Sequence, residues 1–153
     1  MRTDLNNSEC INLLANNYIG QLGYIYNNKP FIVPITYYFD KKNTIIGYTD
    51  DGHKTKAMRK NINVSLQVSK IQHIHNWSSV LAHGVYEELS GSEAKKQLHK
   101  FATGIKDLIL RKEEINLNSI GDYSSKIYTK HPPIIFRIKV SDITGKTISN
   151  VIL

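Results

Sequence analysis

The chain has 153 residues, of which 41% are apolar and 22% charged, enough to build one folded core and too apolar for a disordered chain. No apolar run has the length of a membrane span, the first residues lack a hydrophobic leader, and Cys10 is the only cysteine. A membrane anchor, a secretory signal, an internal disulfide and a cysteine zinc cluster are therefore not expected, and the default is a single cytoplasmic domain over residues 1–153. The net charge of +7 suits an anionic partner, yet the basic residues are scattered and form no long block of the kind a nucleic-acid arm would need.

Residues 3–16 read as a short helix, with Thr3 or Asp4 as cap and Leu5, Ile11, Leu13 and Leu14 at helical spacing. Residues 18–26 have the aromatic and β-branched character of a strand, and Gly20 and Gly23 mark a bend or a close approach of another backbone. Asn27-Asn28-Lys29-Pro30 is a turn, because asparagine tolerates left-handed backbone. Residues 31–39 are apolar on both faces, one carrying Phe31, Val33, Ile35, Tyr37 and Phe39, the other Ile32, Pro34, Thr36 and Tyr38. That pattern predicts a strand buried on both sides. Pro34 cannot donate to a ladder, so it marks either a β-bulge or a place where something other than a strand lies against the backbone.

After a hairpin turn at residues 40–43, strand 44–48 leads into Tyr48-Thr49-Asp50-Asp51-Gly52-His53-Lys54, around which the chain is organised. The stretch reads as a strand end, a polar turn and the first turn of a helix that runs to about Lys60. Asp50 or Asp51 can cap that helix, and Gly52 lets the backbone approach a ligand or take a positive φ. Helix N–H groups with Lys54 and Lys56 beside them suit a phosphate. A single Gly and Lys fall well short of a P-loop, so a turn that binds nothing stays open as the alternative.

Residues 64–69 alternate cleanly as a strand, and 70–76 read as a polar surface loop. His73 and His75 in that loop lack a third ligand, so no metal site is expected. Residues 77–89 form a long strand, with His83 on the face of Leu81 and Val85 as a hydrogen-bonded core or interface histidine. Ser90-Gly91-Ser92-Glu93 opens a helix carrying Ala94, Leu98, Phe101 and Ile105, whose pattern resumes after Gly104 as far as Glu114. Residues 116–133 are polar and turn-rich, 134–140 form a strand, and 141–153 a loosely ordered tail. Six strands and two or three helices predict a mainly β (α+β) fold, a small antiparallel barrel with helices outside.

Three segments in this order resemble the flavin-binding split-barrel proteins of the pyridoxamine-5'-phosphate-oxidase-like superfamily, nearest the nitroimidazole-resistance type of flavin reductase. They are residues 29–38, residues 48–54, and Ser78-Ser79-Val80-Leu81-Ala82-His83-Gly84-Val85, with weaker support from Ile143-Thr144-Gly145-Lys146. The resemblance implies a six-stranded split barrel that forms a homodimer and holds two FMN molecules at the subunit interface. It places Lys54 on the FMN phosphate, with N–H groups around Gly52 beside it. Tyr48 and Thr49 match contacts to phosphate or ribityl, and Val33, Pro34, Ile35 and Thr36 match the strand whose backbone lies along the ring. Ser78 and Ser79 match the start of a strand that completes the site, with Trp77 near enough to stack.

His53 stands where the family often has an arginine, and residues 31–39 lack the arginine that oxidase members place on the phosphate. The tail shows no equivalent of the substrate-binding segment of true oxidases. The resemblance therefore implies an FMN-dependent oxidoreductase acting on a small molecule, with NAD(P)H or another electron donor, rather than a pyridoxamine-phosphate oxidase. No side chain stands out as a catalytic acid or base, and His83 and Tyr37 are the first to test. The alternative is a non-catalytic module of the same fold that holds a flavin, a deazaflavin or haem. A basic nucleic-acid-binding barrel ranks below both, because the tyrosines cluster on presumed core strands, and no nucleic-acid or membrane partner is expected.

Overall fold

The structure, a computed structural model, describes residues 1–112 and 133–149. Its elements run β1 (Arg2–Asp4), α1 (Asn7–Ala15), β2 (Ile19–Tyr26), β3 (Lys29–Phe39), β4 (Thr44–Thr49), α2 (His53–Lys60), β5 (Asn63–His73), β6 (Asn76–Leu89), α3 (Gly91–Lys112) and β7 (Ile134–Ile148). All strand pairs are antiparallel, in the order β1-β7-β4-β3-β2-β5-β6, and β6 also pairs with β7. That last pairing closes six strands into a barrel; β1 is a seventh, added to the far end of β7.

Local chemistry accounts for most boundaries. Asn27 and Asn28 both adopt positive φ (51° and 61°), which makes the tight β2–β3 hairpin. Asp40 accepts the backbone N–H groups of Lys42, Asn43 and Thr44 and so builds the β3–β4 turn. The cap of α1 is Asn6, not Thr3 or Asp4. The Asn6 side chain accepts the Glu9 N–H at 2.8 Å, and Glu9 accepts the Asn6 N–H at 3.0 Å, a reciprocal capping box. Thr3 and Asp4 are instead in β1, opposite Thr147 and Lys146.

Three other expectations change. Residues 141–148 are not a loose tail but the second half of β7, paired along β6 from Trp77 to His83. Residues 70–73 continue β5, so the β5–β6 hairpin extends beyond the barrel with Ile71 and Ile74 exposed. The second face of β3 is covered only where α3 reaches it, at Tyr38; Ile32 is 71% exposed and Pro34 is exposed as well. The helix expected to end at Glu114 is described as far as Lys112, and of the polar segment 116–133 only Pro133 lies within the described residues.

The barrel interior holds Leu22, Tyr37, Ile45, Leu66, Val80 and Ile138, all fully buried, and is closed by Leu14 of α1 and Met58 of α2. A second cluster lies outside the barrel, where Leu98, Phe101 and Ile105 of α3 pack on Ile46 and Ile135. Gly104 permits this contact, since a Cβ there would stand 2.1 Å from the Tyr38 ring. Among the described residues no helix is long and apolar enough to cross a membrane.

Candidate functional site

The barrel wall opens in a slot where β3 and β4 part. β3 and β4 pair only at Tyr37–Gly47, Tyr38–Ile46 and Phe39–Ile45. Beyond Tyr37, β3 pairs with β2 alone; beyond Gly47, β4 pairs with β7 alone. One edge of each strand is thus unpaired among the described residues, with Val33, Pro34, Ile35 and Thr36 on one side and Tyr48 and Thr49 on the other. Tyr37 donates its N–H to Tyr18 at 2.9 Å, so the N–H positions of alternate residues, Pro34 among them, point to the unpaired edge. The proline therefore takes nothing from the ladder, and the β3 register runs through it without a bulge. Thr49 is buried, with its hydroxyl donating to the Asp50 carbonyl at 3.1 Å, and Tyr48 sits half-buried and edge-on to Phe101.

Beyond Thr49 comes the turn into α2. Gly52 is the N-cap, with φ of 178°, so its backbone is extended rather than left-handed, and a Cβ there would meet nothing within 4 Å among the described residues. Neither aspartate caps the helix. Asp51 reaches the Thr55 hydroxyl at 2.7 Å instead, and the Gly52 N–H is taken by Thr55 Oγ1 at 3.0 Å. The first-turn N–H groups that follow have no side-chain cap among the described residues. Lys54 in that turn is half-buried and, among the described residues, has no carboxylate partner. Uncapped N–H groups beside an unpaired lysine are what an anionic phosphate requires, so the residues present fit a flavin phosphate, although the Gly52 N–H itself is already used.

His53 does not sit with Lys54 as an arginine substitute would. Its ring lies 4.8 Å from Tyr26, 4.9 Å from Phe31 and 5.8 Å from Tyr24, and its Nδ1 is 2.9 Å from the Tyr24 hydroxyl. It holds α2 to the hairpin of β2 and β3. The sequence reading missed Tyr24 and Thr55, although the spacing Gly52-x-x-Thr55, a small cap followed by a hydroxyl at the third helical position, was a usable signal.

The remaining predicted residues lie elsewhere. Ser78 and Ser79 face Thr147 and Lys146 at the opposite end of β7 from Ile134, the partner of Thr49, and two strands separate β6 from β3. Within one chain they are not brought beside Lys54. The Ser78 hydroxyl is 2.9 Å from the Thr147 hydroxyl, Ser79 accepts from Gln67 Nε2 at 2.8 Å, and Trp77 is half-buried.

His83 is not a core residue. It is exposed on the outer face of β6, with Nδ1 2.6 Å from Ser65 Oγ, in a groove of about 490 Å³ that also takes in Ile25, Ile32 and Val85. His73 and His75 lie on the exposed hairpin, and no group of potential metal ligands occurs among the described residues.

Tyr37 points the other way, fully buried in the barrel, with its hydroxyl donating to the Leu14 carbonyl at 2.6 Å. Burial raises its pKa far above the ordinary tyrosine value. It can neither touch a ligand in the slot nor exchange a proton with one. Tyr37→Phe should leave flavin binding unchanged and cost about 1–2 kcal/mol of stability, because the Leu14 carbonyl loses its partner; chemical denaturation beside a flavin titration checks both.

A closed antiparallel barrel of six strands, opened where β3 and β4 part and with helices outside it, defines a split barrel. The chain belongs to the pyridoxamine 5'-phosphate oxidase family, whose model matches residues 6–147. Among solved structures it resembles a FAD-binding protein of Mesorhizobium loti, with TM-score 0.73 and 25% identity over 97% of this chain and 99% of that one. It also has the fold of a candidate 5-nitroimidazole antibiotic resistance protein of Bacteroides thetaiotaomicron (TM-score 0.65, 14% identity, 96% and 89% covered). A curated relative from Rhizobium meliloti, described only as uncharacterised, is 32% identical over 89 residues; the match spans 58% of each chain.

Proposed function

We propose that this chain binds a flavin mononucleotide in the slot between β3 and β4 and uses it to reduce a small molecule. The observation that carries this reading is the pairing of two open strand edges with an uncapped helix N-terminus at one end of the slot. Lys54 and the first-turn N–H groups of α2 would take the phosphate, Tyr48 and Thr49 the adjoining chain, and the backbone of residues 33–36 the ring. When bound, the flavin supplies the electron-transfer chemistry; the protein's part is to hold the phosphate, fix the ring's edge against β3 and exclude water. No side chain of the slot is assigned as acid or base. The electron donor would be NAD(P)H or a comparable carrier.

The working unit is proposed to be a homodimer. Ile19, Ile25, Ile32 and Val85 are 55%, 41%, 71% and 36% exposed on the outer faces of β2, β3 and β6. A second copy would cover this apolar face and would bring its own Ser78 and Ser79 to the site.

Titration of purified protein with FMN, FAD and riboflavin, followed by absorption near 450 nm (about, a general flavin property) with light scattering for mass, tests the proposal. The expected result is saturable FMN binding, one flavin per chain, on a particle of two chains. FAD is included because the M. loti protein is described as FAD-binding, and tighter FAD than FMN binding would change the cofactor while keeping the site. A chain that takes up no flavin would overturn the reading.

A further inference from the structure

Asp50 and Asp51 stand immediately before the uncapped end of α2. A carboxylate in that position is an internal rival to any phosphate: it can accept the same N–H groups, and it repels an arriving anion. Asp51 is drawn away from that role. Its Oδ1 accepts the Thr55 hydroxyl at 2.7 Å and faces Arg59 Nη1 at 3.3 Å. The Thr55 hydroxyl, and behind it Arg59, hold the carboxylate's pKa below the ordinary aspartate range, which keeps it charged and needing that partner.

Arg59 is fixed from the other side. Its Nε donates to Glu88 Oε1 at 2.7 Å and its Nη2 to Glu88 Oε2 at 3.3 Å, while the Tyr86 hydroxyl donates to the same Oε1 at 2.7 Å. One guanidinium therefore spans from the end of β6 to the turn before α2 and is shared by two carboxylates. A guanidinium so engaged is poorly placed to take a phosphate itself.

We infer that Arg59 is a positioning residue for the flavin phosphate: anchored on Glu88, it holds the Asp51 carboxylate away from the first-turn N–H groups and offsets its charge. This rests on the flavin reading above. The sign is specific. Loss of Arg59 harms binding only through Asp51, and only for a ligand that carries a phosphate.

FMN and riboflavin, which differ by the phosphate, are titrated against wild type, Arg59→Met, Asp51→Asn and the double variant, with thermal unfolding of each. Arg59→Met should bind FMN about two- to fivefold more weakly and riboflavin unchanged, and adding Asp51→Asn should restore FMN affinity. Asp51→Asn alone, which leaves the Arg59–Glu88 pair intact, should bind FMN at least as tightly as wild type. Equal weakening of both flavins by Arg59→Met, failure of the double variant to recover, or weaker FMN binding by Asp51→Asn alone would each overturn the inference while leaving the flavin site standing. Wild type that binds neither flavin removes the flavin reading and this inference together.

Discussion

Lys54→Ala should weaken FMN binding by about ten- to a hundredfold, the range expected when a charge-assisted hydrogen bond worth about 1.5–3 kcal/mol is lost. Riboflavin binding should not change, and neither should the unfolding temperature. The argument is one of elimination. Of the basic residues near the turn, Arg59 is committed to Asp51 and Glu88, Lys56 is exposed, and the His53 ring is packed among Tyr24, Tyr26 and Phe31. Lys54 alone is half-buried in the first helical turn without a carboxylate partner among the described residues. Because it has no carboxylate partner among the described residues, its removal leaves no orphaned charge among them and the described fold has no reason to weaken. Isothermal titration with the two flavins separates the outcomes. Equal loss for FMN and riboflavin, or no loss for either, would take the phosphate away from this turn.

The features legible in the sequence were those whose signal is local. Asn27-Asn28 announced its left-handed turn, Asp40 its hairpin, and the polar turn before Lys54 its helix end, because each needs only neighbours a few residues away. The second half of β7 was not legible. Ser141, Asp142, Thr144 and Lys146 are exposed there, so the core contributes little alternation, and the strand is held by ladders to β6 and β1 that no local pattern reveals. The overhanging β5–β6 hairpin failed to show for the same reason, since residues outside the barrel have no buried face to write a period. Pro34 is odd in the sequence, but what makes it tolerable is the parting of β3 from β4, whose pairing ends at Tyr37, a tertiary fact. His83 reads as a core or interface histidine from its apolar neighbours Leu81 and Val85, and the core half of that reading fails because those residues share the outer face; Val80 and Ala82, one step out of phase, face inward. Period-two reasoning gives two faces without saying which is inside.

Gly84→Ala should destabilise the barrel strongly while leaving the slot untouched, at about 3 kcal/mol, the upper end of ordinary overpacking. A Cβ on Gly84 would lie 2.4 Å from the Lys139 carbonyl oxygen and 2.7 Å from Ile138 Cγ2. The obstacle is backbone, so no rotamer change relieves it. Lys139 is itself held on its other edge by Thr44 of β4, and the β6–β7 register already shifts at this point, from His83–Asp142 to Gly84–Val140. Widening the β6–β7 spacing to admit a methyl group would strain the seam that closes the barrel. For a domain of this size the loss corresponds to about 6–12 °C in unfolding temperature. Gly52→Ala is the matching control: its φ of 178° suits any residue and none of the described residues lies within 4 Å of the added carbon, so its unfolding temperature should stay close to wild type. Differential scanning calorimetry of the two variants decides the matter. If Gly84→Ala melted no lower than Gly52→Ala, the tight approach of β6 to β7 at the bulge would not be what closes the barrel.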